Sequence, residues 1–178
     1  MPTETAAGSA ALTIAKFDKA LHDRSAFSCG FRPIDNFLKS SLSDQIKSGM
    51  VKAWIMTSDQ DPAVLGFYTL GAMAVRARLG PPKWARSGVP DIPVIYIRAV
   101  AVHKDLHGQG YGTALVIDAM KRCVRIADQL GAAAIVLDVL SDAHFDRRWK
   151  FYADLGFKPL EDPDNPQRVY IPMADVRA

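Results

Sequence analysis

Three glycines at alternate positions, Gly108, Gly110 and Gly112, lie where a polar turn gives way to an apolar stretch with helical spacing. The first N–H groups of a helix have no partner inside it and carry a partial positive charge, and glycine leaves them uncovered. Such a turn binds phosphate oxygens, although glycine also serves where a chain only turns sharply. The spacing fits neither a Rossmann loop nor a P-loop, which requires Gly-Lys-Ser/Thr.

The segment His107-x-x-Gly110-x-Gly112 resembles the acyl-CoA pyrophosphate loop of the GNAT superfamily of N-acetyltransferases, Arg/Gln-x-x-Gly-x-Gly/Ala. In this sequence a histidine stands in the first position, so a charged side-chain contact to the cofactor is absent or pH-dependent while the backbone cradle is kept. The resemblance implies acetyl-CoA as co-substrate and assigns its pyrophosphate to His107, Gly108, Gln109, Gly110, Tyr111, Gly112 and Thr113. It assigns the pantetheine arm and the acetyl carbonyl to main-chain groups of Val100, Ala101 and Val102.

A second segment, Phe151-Tyr152-x-x-Leu155-Gly156-Phe157, follows about forty residues downstream, where the family has a Phe-Tyr segment that ends in Gly-Phe. The resemblance implies that Tyr152 is the catalytic residue and donates a hydrogen bond to the sulfur of the departing CoA. The alternative for Tyr152 is a packed helix aromatic. A phenol is a weaker acid than a thiol, so a strong hydrogen bond with late proton transfer is favoured over a free proton hand-off.

No general base stands out in the sequence. Asp138, Asp142 and Asp146 lie near the predicted site, but each also suits a helix cap or a solvent-facing position. An α-amino group has a pKa near ~8 and is partly neutral at pH 7, whereas a lysine amine near ~10.4 needs far more help. A site without an evident base therefore favours an α-amine as the acceptor.

The amino-terminal part narrows the resemblance to the GNAT toxins of bacterial type II toxin–antitoxin pairs. The matching positions are Phe27, Cys29, Gly30, Ile34, Asp35, Phe37, Leu38, Gln45, Gly49 and the run from Gly66 to Leu70. The resemblance implies acetylation of the α-amino group of aminoacyl-tRNA, a block on translation, and neutralisation by a ribbon-helix-helix antitoxin. It also implies a homodimer that meets operator DNA only through the antitoxin complex.

Two basic stretches accompany these motifs and are predicted to flank the site. The proposed tRNA-binding residues are Arg76, Arg78, Lys83, Arg86, Arg147, Arg148 and Lys150. Phosphate contacts of this kind position a nucleic acid without specifying its sequence. Trp84 and Trp149 lie among these charges and suit stacking on an unpaired base. The alternatives are a solvated basic face and two core tryptophans.

The periodicity predicts one α/β domain over 11–178, with a mixed central sheet flanked by helices and a flexible segment at 1–10. A strand at 11–17, a short helical turn at 18–24, an amphipathic helix over 32–49 that ends at Gly49, a hairpin of 51–58 with 64–75 and a long loop at 76–93 come first. The strand–loop–helix of 94–130, a buried strand at 132–139 parallel to the one before it, a helix at 145–155 and two short strands within 157–173 follow. Cys123 falls in the apolar pattern and is interpreted as a core residue.

Composition restricts the class of protein. The 178 residues carry a net charge of +3 and are 49% hydrophobic, as in an ordinary globular domain, and no apolar run approaches the length of a membrane span. The first residues lack a signal-peptide pattern, so we expect a cytoplasmic protein without membrane association. Two cysteines and four unpaired histidines give no disulfide framework and no metal-ligand spacing.

Two other functions remain open at this stage. One is an N-acetyltransferase of a small-molecule or protein amine, which predicts an acidic acceptor cleft. The other is a module that binds antitoxin and DNA with little catalysis.

Overall fold

A computed structural model describes residues 11–178 as a seven-stranded mixed sheet with strand order β1-β2-β3-β4-β5-β7-β6. The strands are β1 (Leu12–Lys16), β2 (Lys52–Ser58), β3 (Asp61–Arg76), β4 (Asp91–Val102), β5 (Ala134–Asp138), β6 (Lys158–Pro159) and β7 (Arg168–Pro172). The helices are α1 (Arg32–Asn36), α2 (Leu42–Lys47), α3 (Pro82–Ala85), α4 (Tyr111–Ala127), α5 (Phe145–Asp154) and α6 (Met173–Arg177). The predicted segment at 1–10 lies outside the described residues.

The sheet is antiparallel from β1 to β4 and parallel only between β4 and β5. A parallel pair requires a crossover, and the 17-residue helix α4 supplies it. The predicted parallel pairing across this helix is confirmed. Strand β7 then pairs antiparallel with β5 and carries β6 on its outer edge.

Alternation of side chains along β4 separates the two faces of the sheet. Ile95 and Ile97 belong to a core with Leu115 and Val116 of α4, so this face lies under α4, α5 and α6. The opposite face divides into two cores. Leu38 and Leu42 pack there on the β1–β3 half, and Trp84 packs on the β4–β7 half. We refer to the second face as the α1 face.

The predicted amphipathic helix over 32–49 is confirmed, with one irregularity. A π-helical turn, Phe37–Ser41, joins α1 to α2 without interrupting the helical path. Leu38 and Leu42 are fully buried while Ile34, Phe37 and Ile46 pack at the margin of the same core. The helix ends as predicted near Gly49, whose φ of +78° is a left-handed conformation that favours glycine. The helical turn predicted at 18–24 is a single turn in which Asp18 accepts two backbone hydrogen bonds.

The prediction of one long loop at 76–93 is wrong. This segment contains a 3₁₀ turn, Ala77–Leu79, and the short helix α3, and β4 already begins at Asp91. Pro82 starts α3, and Trp84 is buried against Tyr170 with ring centroids 5.5 Å apart. Gly80 leaves the space that the indole occupies, because a Cβ there would lie 2.0 Å from Trp84. Burial of Trp84 therefore orders this segment, although its prolines and glycines predict an irregular structure.

Candidate active site

A β-bulge interrupts the pairing of β3 with β4 in the middle of the sheet. Leu70 pairs with Ile97 and Tyr68 with Val100, so Thr69 alone faces both Arg98 and Ala99. The side chain of Thr69 is fully buried, and its Oγ1 accepts a hydrogen bond of 3.2 Å from the N–H of Ala99. Bulges of this kind redirect side chains and end regular pairing. Here the bulge puts Arg98 and Ala99 on the α1 face together.

Strands β4 and β5 part just at the bulge. Their last register pair is Ile97 with Leu137, whereas β4 continues to Val102. The N–H groups of Ala99 and His103 point toward β3, because they donate to Thr69 and to the carbonyl of Leu65. Since main-chain groups alternate in direction along a strand, those of Val100 and Val102 point into the gap. Of the three predicted pantetheine residues, these two have free main-chain donors, while the main chain of Ala101 pairs with β3.

The loop that precedes α4 presents backbone N–H groups at the end of this gap. Gly108 and Gly110 have φ values of +77° and +87°, and Gly110 is the N-cap of α4 without any side-chain cap. An added Cβ at either glycine would meet nothing within 4 Å, so conformation rather than space requires glycine there. The first N–H groups of the 17-residue helix therefore remain open. This donor set fits a diphosphate.

His107 connects the loop to the strand. Its Nε2 lies 2.7 Å from the carbonyl oxygen of Val102, and a carbonyl only accepts, so Nε2 carries the proton and donates. The imidazole therefore holds the loop at the end of β4. This contact occupies one of the two ring nitrogens of His107.

A cleft of about 660 Å³ runs between the separated strands. The predicted cofactor residues that line it are Val100, Ala101, Val102, His107, Gly108 and Gly112, whereas Gln109, Gly110, Tyr111 and Thr113 do not. The opposite wall comes from α5, the segment that leads to it, and the segment from Cys29 to Ile34. Backbone donors from α4 and the open edge of β4 thus converge on one cavity.

Tyr152 of α5 lines the same cleft. It is 8% exposed and stands edge-on to Phe151 and Phe157, and its hydroxyl has no hydrogen-bond partner within residues 11–178. Burial raises the pKa of Tyr152 to about 12, against a smaller lowering by the Arg148 guanidinium. The phenol therefore keeps its proton and is available as a donor.

Comparison with known proteins identifies this arrangement. The model of the acetyltransferase (GNAT) family matches residues 52–157, from β2 through the tyrosine segment. The chain belongs to the GNAT family. It is therefore an acetyl-CoA-dependent N-acetyltransferase, and the predictions of the family, the fold and the co-substrate are confirmed.

Relatives of this GNAT acetyltransferase include named toxins. The chain is 34% identical to the "probable toxin TacT" of Sinorhizobium fredii over 96% of each chain. It is 32% identical to the "tRNA-acetylating toxin" of Mycobacterium tuberculosis, which covers 88% of this chain and 89% of that protein.

Solved structures agree with these relatives. AtaT complexed with acetyl-methionyl-tRNAfMet superimposes with a TM-score of 0.84 at 26% identity, over 94% of this chain and 98% of that one. A tyrosine-to-phenylalanine mutant of KacT has the same TM-score of 0.84 at 25% identity, over 93% and 97% of the two chains. AtaTR bound with acetyl-CoA has a TM-score of 0.78 at 26% identity, over 93% and 96%.

The seven basic residues predicted to flank the site fall into three groups. Arg147 and Arg148 line the cleft of the acetyltransferase, and Arg148 is paired with Asp142. Lys150 lies outside it in an exposed pair with Asp154. The remaining four do not line the cleft: Arg76, Arg78, Lys83 and Arg86. They belong to the segment around α3, on the α1 face near the start of β4.

The two tryptophans that suited base stacking are packed instead. Trp84 is only 4% exposed, so the stacking interpretation is wrong for it. Trp149 is half-buried against Phe145 at the margin of the main core. Cys123 is fully buried in α4, which confirms its interpretation as a core residue, and burial raises the pKa of its thiol to about 12.

The carboxylates that line the cleft are already bound. Asp138 accepts hydrogen bonds from Nε and Nη2 of Arg168 at 2.8 and 3.0 Å and from the hydroxyl of Tyr96 at 2.9 Å. Asp142 accepts from Arg148 and from the N–H of His144, and the bond from Arg148 lowers the pKa of Asp142. Asp146 is exposed and does not line the cleft. Within residues 11–178 no uncommitted carboxylate faces the cavity.

Sequence reasoning missed three residues of the site, namely Thr69, Tyr96 and Arg98. Tyr96 and Arg98 interrupt the aliphatic run of β4, which is a signal that polar side chains in a central strand face a cavity. No pattern in the sequence predicts the β-bulge that Thr69 supports. Among the described residues, no helix is long and apolar enough to cross a membrane and no group of side chains has the make-up of a metal site.

Proposed function

We propose that this acetyltransferase transfers the acetyl group to the α-amino group of aminoacyl-tRNA and thereby blocks translation. The observation that carries the proposal is 32% identity to a tRNA-acetylating toxin over 88% of this chain. The cleft supports it, because Asp138 and Asp142 are both bound to arginines and leave no carboxylate free to deprotonate a strongly basic amine. An α-amine with a pKa near ~8 needs no such help at neutral pH. The proposal takes residues 11–178 as one catalytic domain.

We assign acetyl-CoA to the gap between β4 and β5. The open N–H groups at the start of α4 bind the pyrophosphate, with Gly108 and Gly110 providing the left-handed turns that expose them. His107 acts indirectly, by holding this loop against β4. The free N–H groups of Val100 and Val102 bind the pantetheine arm and polarise the acetyl carbonyl.

Tyr152 is assigned a position from which its hydroxyl donates a hydrogen bond to the leaving sulfur. Transfer forms a C–N bond and breaks a C–S bond, and the proton lost by the amine is gained by the thiolate. A phenol with a pKa of about 12 is a weaker acid than a thiol near ~8.5 by a margin worth about 5 kcal/mol. Tyr152 therefore stabilises the developing thiolate by a hydrogen bond and does not give its proton away. Its pKa leaves no ionisation of this group near neutral pH, so the rate follows the neutral fraction of the amine.

We further infer the partners from relatives. AtaT has been solved bound to the C-terminus of the antitoxin AtaR, and the AtaT–AtaR complex has been solved bound to DNA. We propose that this chain is likewise neutralised by an antitoxin, of the ribbon-helix-helix type, and meets operator DNA only in that complex. We also propose a homodimer that acts in the cytoplasm, where charged tRNA is found.

We assign tRNA phosphates to cations that have no acidic partner within residues 11–178. These are Arg78, Lys83, Arg86 and Arg147. The other three of the predicted set are held in ion pairs, Arg76 with Asp91, Arg148 with Asp142 and Lys150 with Asp154. The pairs of Arg76 and Lys150 are exposed, so they hold these two side chains only weakly and leave them available to a phosphate at small cost.

The test is transfer of label from acetyl-CoA to total charged tRNA by the native chain and by Tyr152→Phe. We expect label in the tRNA fraction and a fall in kcat of about 100-fold for the variant, because the hydrogen bond to the sulfur is lost. Tyr170→Phe is the matched control, since this phenol packs beside Trp84 outside the cleft and its loss leaves kcat unchanged.

Label that appears only in polyamines or peptides would contradict the proposal and identify a small-molecule or protein amine as the acceptor. Binding of acetyl-CoA without transfer to any amine would instead favour a binding module. Equal loss of activity in both tyrosine variants would show that Tyr152 acts through packing.

A further inference from the structure

One cation on the wall of the cleft is not part of the acetyl-CoA site. Arg98 is exposed, lines the cleft and belongs to the bulge of β4, which turns its side chain to the α1 face. Its guanidinium lies 5.5 Å from the ring centroid of Phe37. Within residues 11–178 no carboxylate lies within ion-pair distance of it.

Of the other cations at the cleft, two are compensated, whereas Lys104 and Arg147 line it without an acidic partner within residues 11–178. Arg168 is bound to Asp138 and lies 3.9 Å from Asp162, and Arg148 is bound to Asp142. Arg98 therefore supplies a net positive charge where the cleft opens on the α1 face. An uncompensated guanidinium in a concave site attracts an anionic group of the ligand.

The position of Arg98 excludes the pyrophosphate of acetyl-CoA as that anion. The glycine loop leads into α4, and Leu115 of α4 packs on the face that carries Ile95 and Ile97. Arg98 and Phe37 lie on the opposite face, with α1 and α2. The anion that Arg98 meets must therefore belong to the molecule that enters from the other side, the acetyl acceptor.

Phe37 prepares Arg98 for a phosphate. A guanidinium that rests on an aromatic ring is already held in one orientation, so the side chain loses less conformational freedom on binding than a free arginine does. Its fork of N–H donors matches two oxygens of one phosphate. Arg98 stands two residues before Val100, about 7 Å along the strand, a length comparable with one nucleoside. A phosphate at Arg98 and an amine at the open edge of β4 thus match the two ends of an aminoacylated terminal nucleotide.

We propose that Arg98 binds the phosphodiester that precedes the 3′-terminal nucleoside of the aminoacylated RNA and so positions its α-amine at the acetyl carbonyl. This inference rests on the proposed function. It makes Arg98 a substrate-binding residue specific for acceptors that carry a phosphate, and it defines the α1 face as the side from which the RNA end enters.

The experiment compares acceptors that differ only in phosphate. A stable amide-linked aminoacyl-adenosine without phosphate and the same nucleoside extended by two 5′ cytidylates are each acetylated by the native chain, Arg98→Gln and Arg98→Lys. We expect Arg98→Gln to raise KM for the extended acceptor about tenfold, with the KM for acetyl-CoA and the kcat unchanged. We expect no change with the phosphate-free acceptor. Arg98→Lys keeps the charge without the fork and recovers part of the loss.

Arg125→Gln is the matched control, because Arg125 is an exposed arginine of α4 outside the cleft. It leaves both KM values as in the native chain. The salt dependence gives a second readout, since removing one phosphate contact on a single strand lowers the slope of log KM against log salt by about 0.7.

Equal losses with both acceptors, or a raised KM for acetyl-CoA, would overturn the inference and assign Arg98 a structural role. An unchanged KM for the extended acceptor would overturn it too, while label in charged tRNA would leave the proposed function standing. If the native chain labels no aminoacylated RNA, the proposed function itself fails and the inference fails with it.

Discussion

The two connections at the ends of β4 are built on different principles. The connection after β4 exposes backbone N–H groups through two left-handed glycines and a long helix, and the His107 side chain holds it against the strand. The connection before β4 is held by one buried side chain, that of Trp84. Both contain a left-handed glycine, since Gly88 has a φ of +77° and Gly110 one of +87°. What distinguishes the proposed anion site is the helix of 17 residues behind Gly110, because the residues after Gly88 enter a strand.

The largest effect is expected at Trp84, the side chain that holds the connection before β4 together. Trp84→Ala removes a fully packed indole between Tyr170 and Gly80, and we expect a loss of about 3–5 kcal/mol in the free energy of unfolding. The KM for acetyl-CoA measured well below the unfolding transition stays native, since Trp84 does not line the cleft. Urea unfolding and steady-state kinetics measure the two quantities.

Trp84→Phe is the control, because a smaller aromatic keeps most of the packing and loses only part of that stability. A loss below about 1 kcal/mol for Trp84→Ala would mean that the segment around α3 is ordered by other contacts.

The glycines provide a sharper comparison of the two connections. Gly110→Ala and Gly88→Ala both place a Cβ in a left-handed conformation with open space around it, so each costs about 1–2 kcal/mol of stability. Only Gly110→Ala is expected to raise the KM for acetyl-CoA, by about tenfold, because only that turn aims donors at the pyrophosphate.

Thermal unfolding and acetyl-CoA titration of both variants measure this difference. Gly131→Ala serves as a reference, since its φ is not positive and nothing lies within 4 Å of an added Cβ. An equal rise of KM in the Gly88 and Gly110 variants would contradict the distinction between the two connections.

The smallest effect is expected from the exposed cations around α3. Arg78 and Arg86 lie on the α1 face outside the cleft, so the double change to glutamine is expected to raise the KM for charged tRNA two- to threefold at low salt. The effect disappears at high salt because exposed charges are screened.

Lys121→Gln with Arg125→Gln removes the same charge from the exposed side of α4 and leaves the KM native. If this control shows the same rise in KM, the positive charge of the whole protein attracts tRNA, and the segment around α3 does not bind it specifically.

Much of the fold could be predicted from the sequence because the relevant signals are local. Alternate glycines before an apolar helix, a buried strand at 132–139 and a tyrosine segment ending at Gly156 each specify their own element and its place in the order. The assignment of the pantetheine arm to Val100, Ala101 and Val102 followed from the family resemblance, and the last register pair of β4 with β5, Ile97 with Leu137, lies before these residues. The roles of Asp142 and Asp138 could not be predicted from the sequence, because only folding brings them into contact with Arg148 and Arg168.

The errors share a physical cause. The segment at 76–93 was predicted as a loop because proline and glycine dominate it, whereas burial of Trp84 decides its structure. The contact of His107 with Val102 joins residues whose local patterns are unrelated. Long-range packing of this kind leaves no period in the sequence.

The sequence by itself predicted most of the elements and the glycine turn, because each depends on backbone conformation and spacing within a few residues, and the family resemblance pointed to Tyr152. Only the tertiary structure decided which main-chain groups are free, which carboxylates are neutralised and where Arg98 points. The direction of Arg98 depends on the bulge that Thr69 supports from the neighbouring strand, 30 residues away. A register is a property of two strands together, and neither strand specifies it alone.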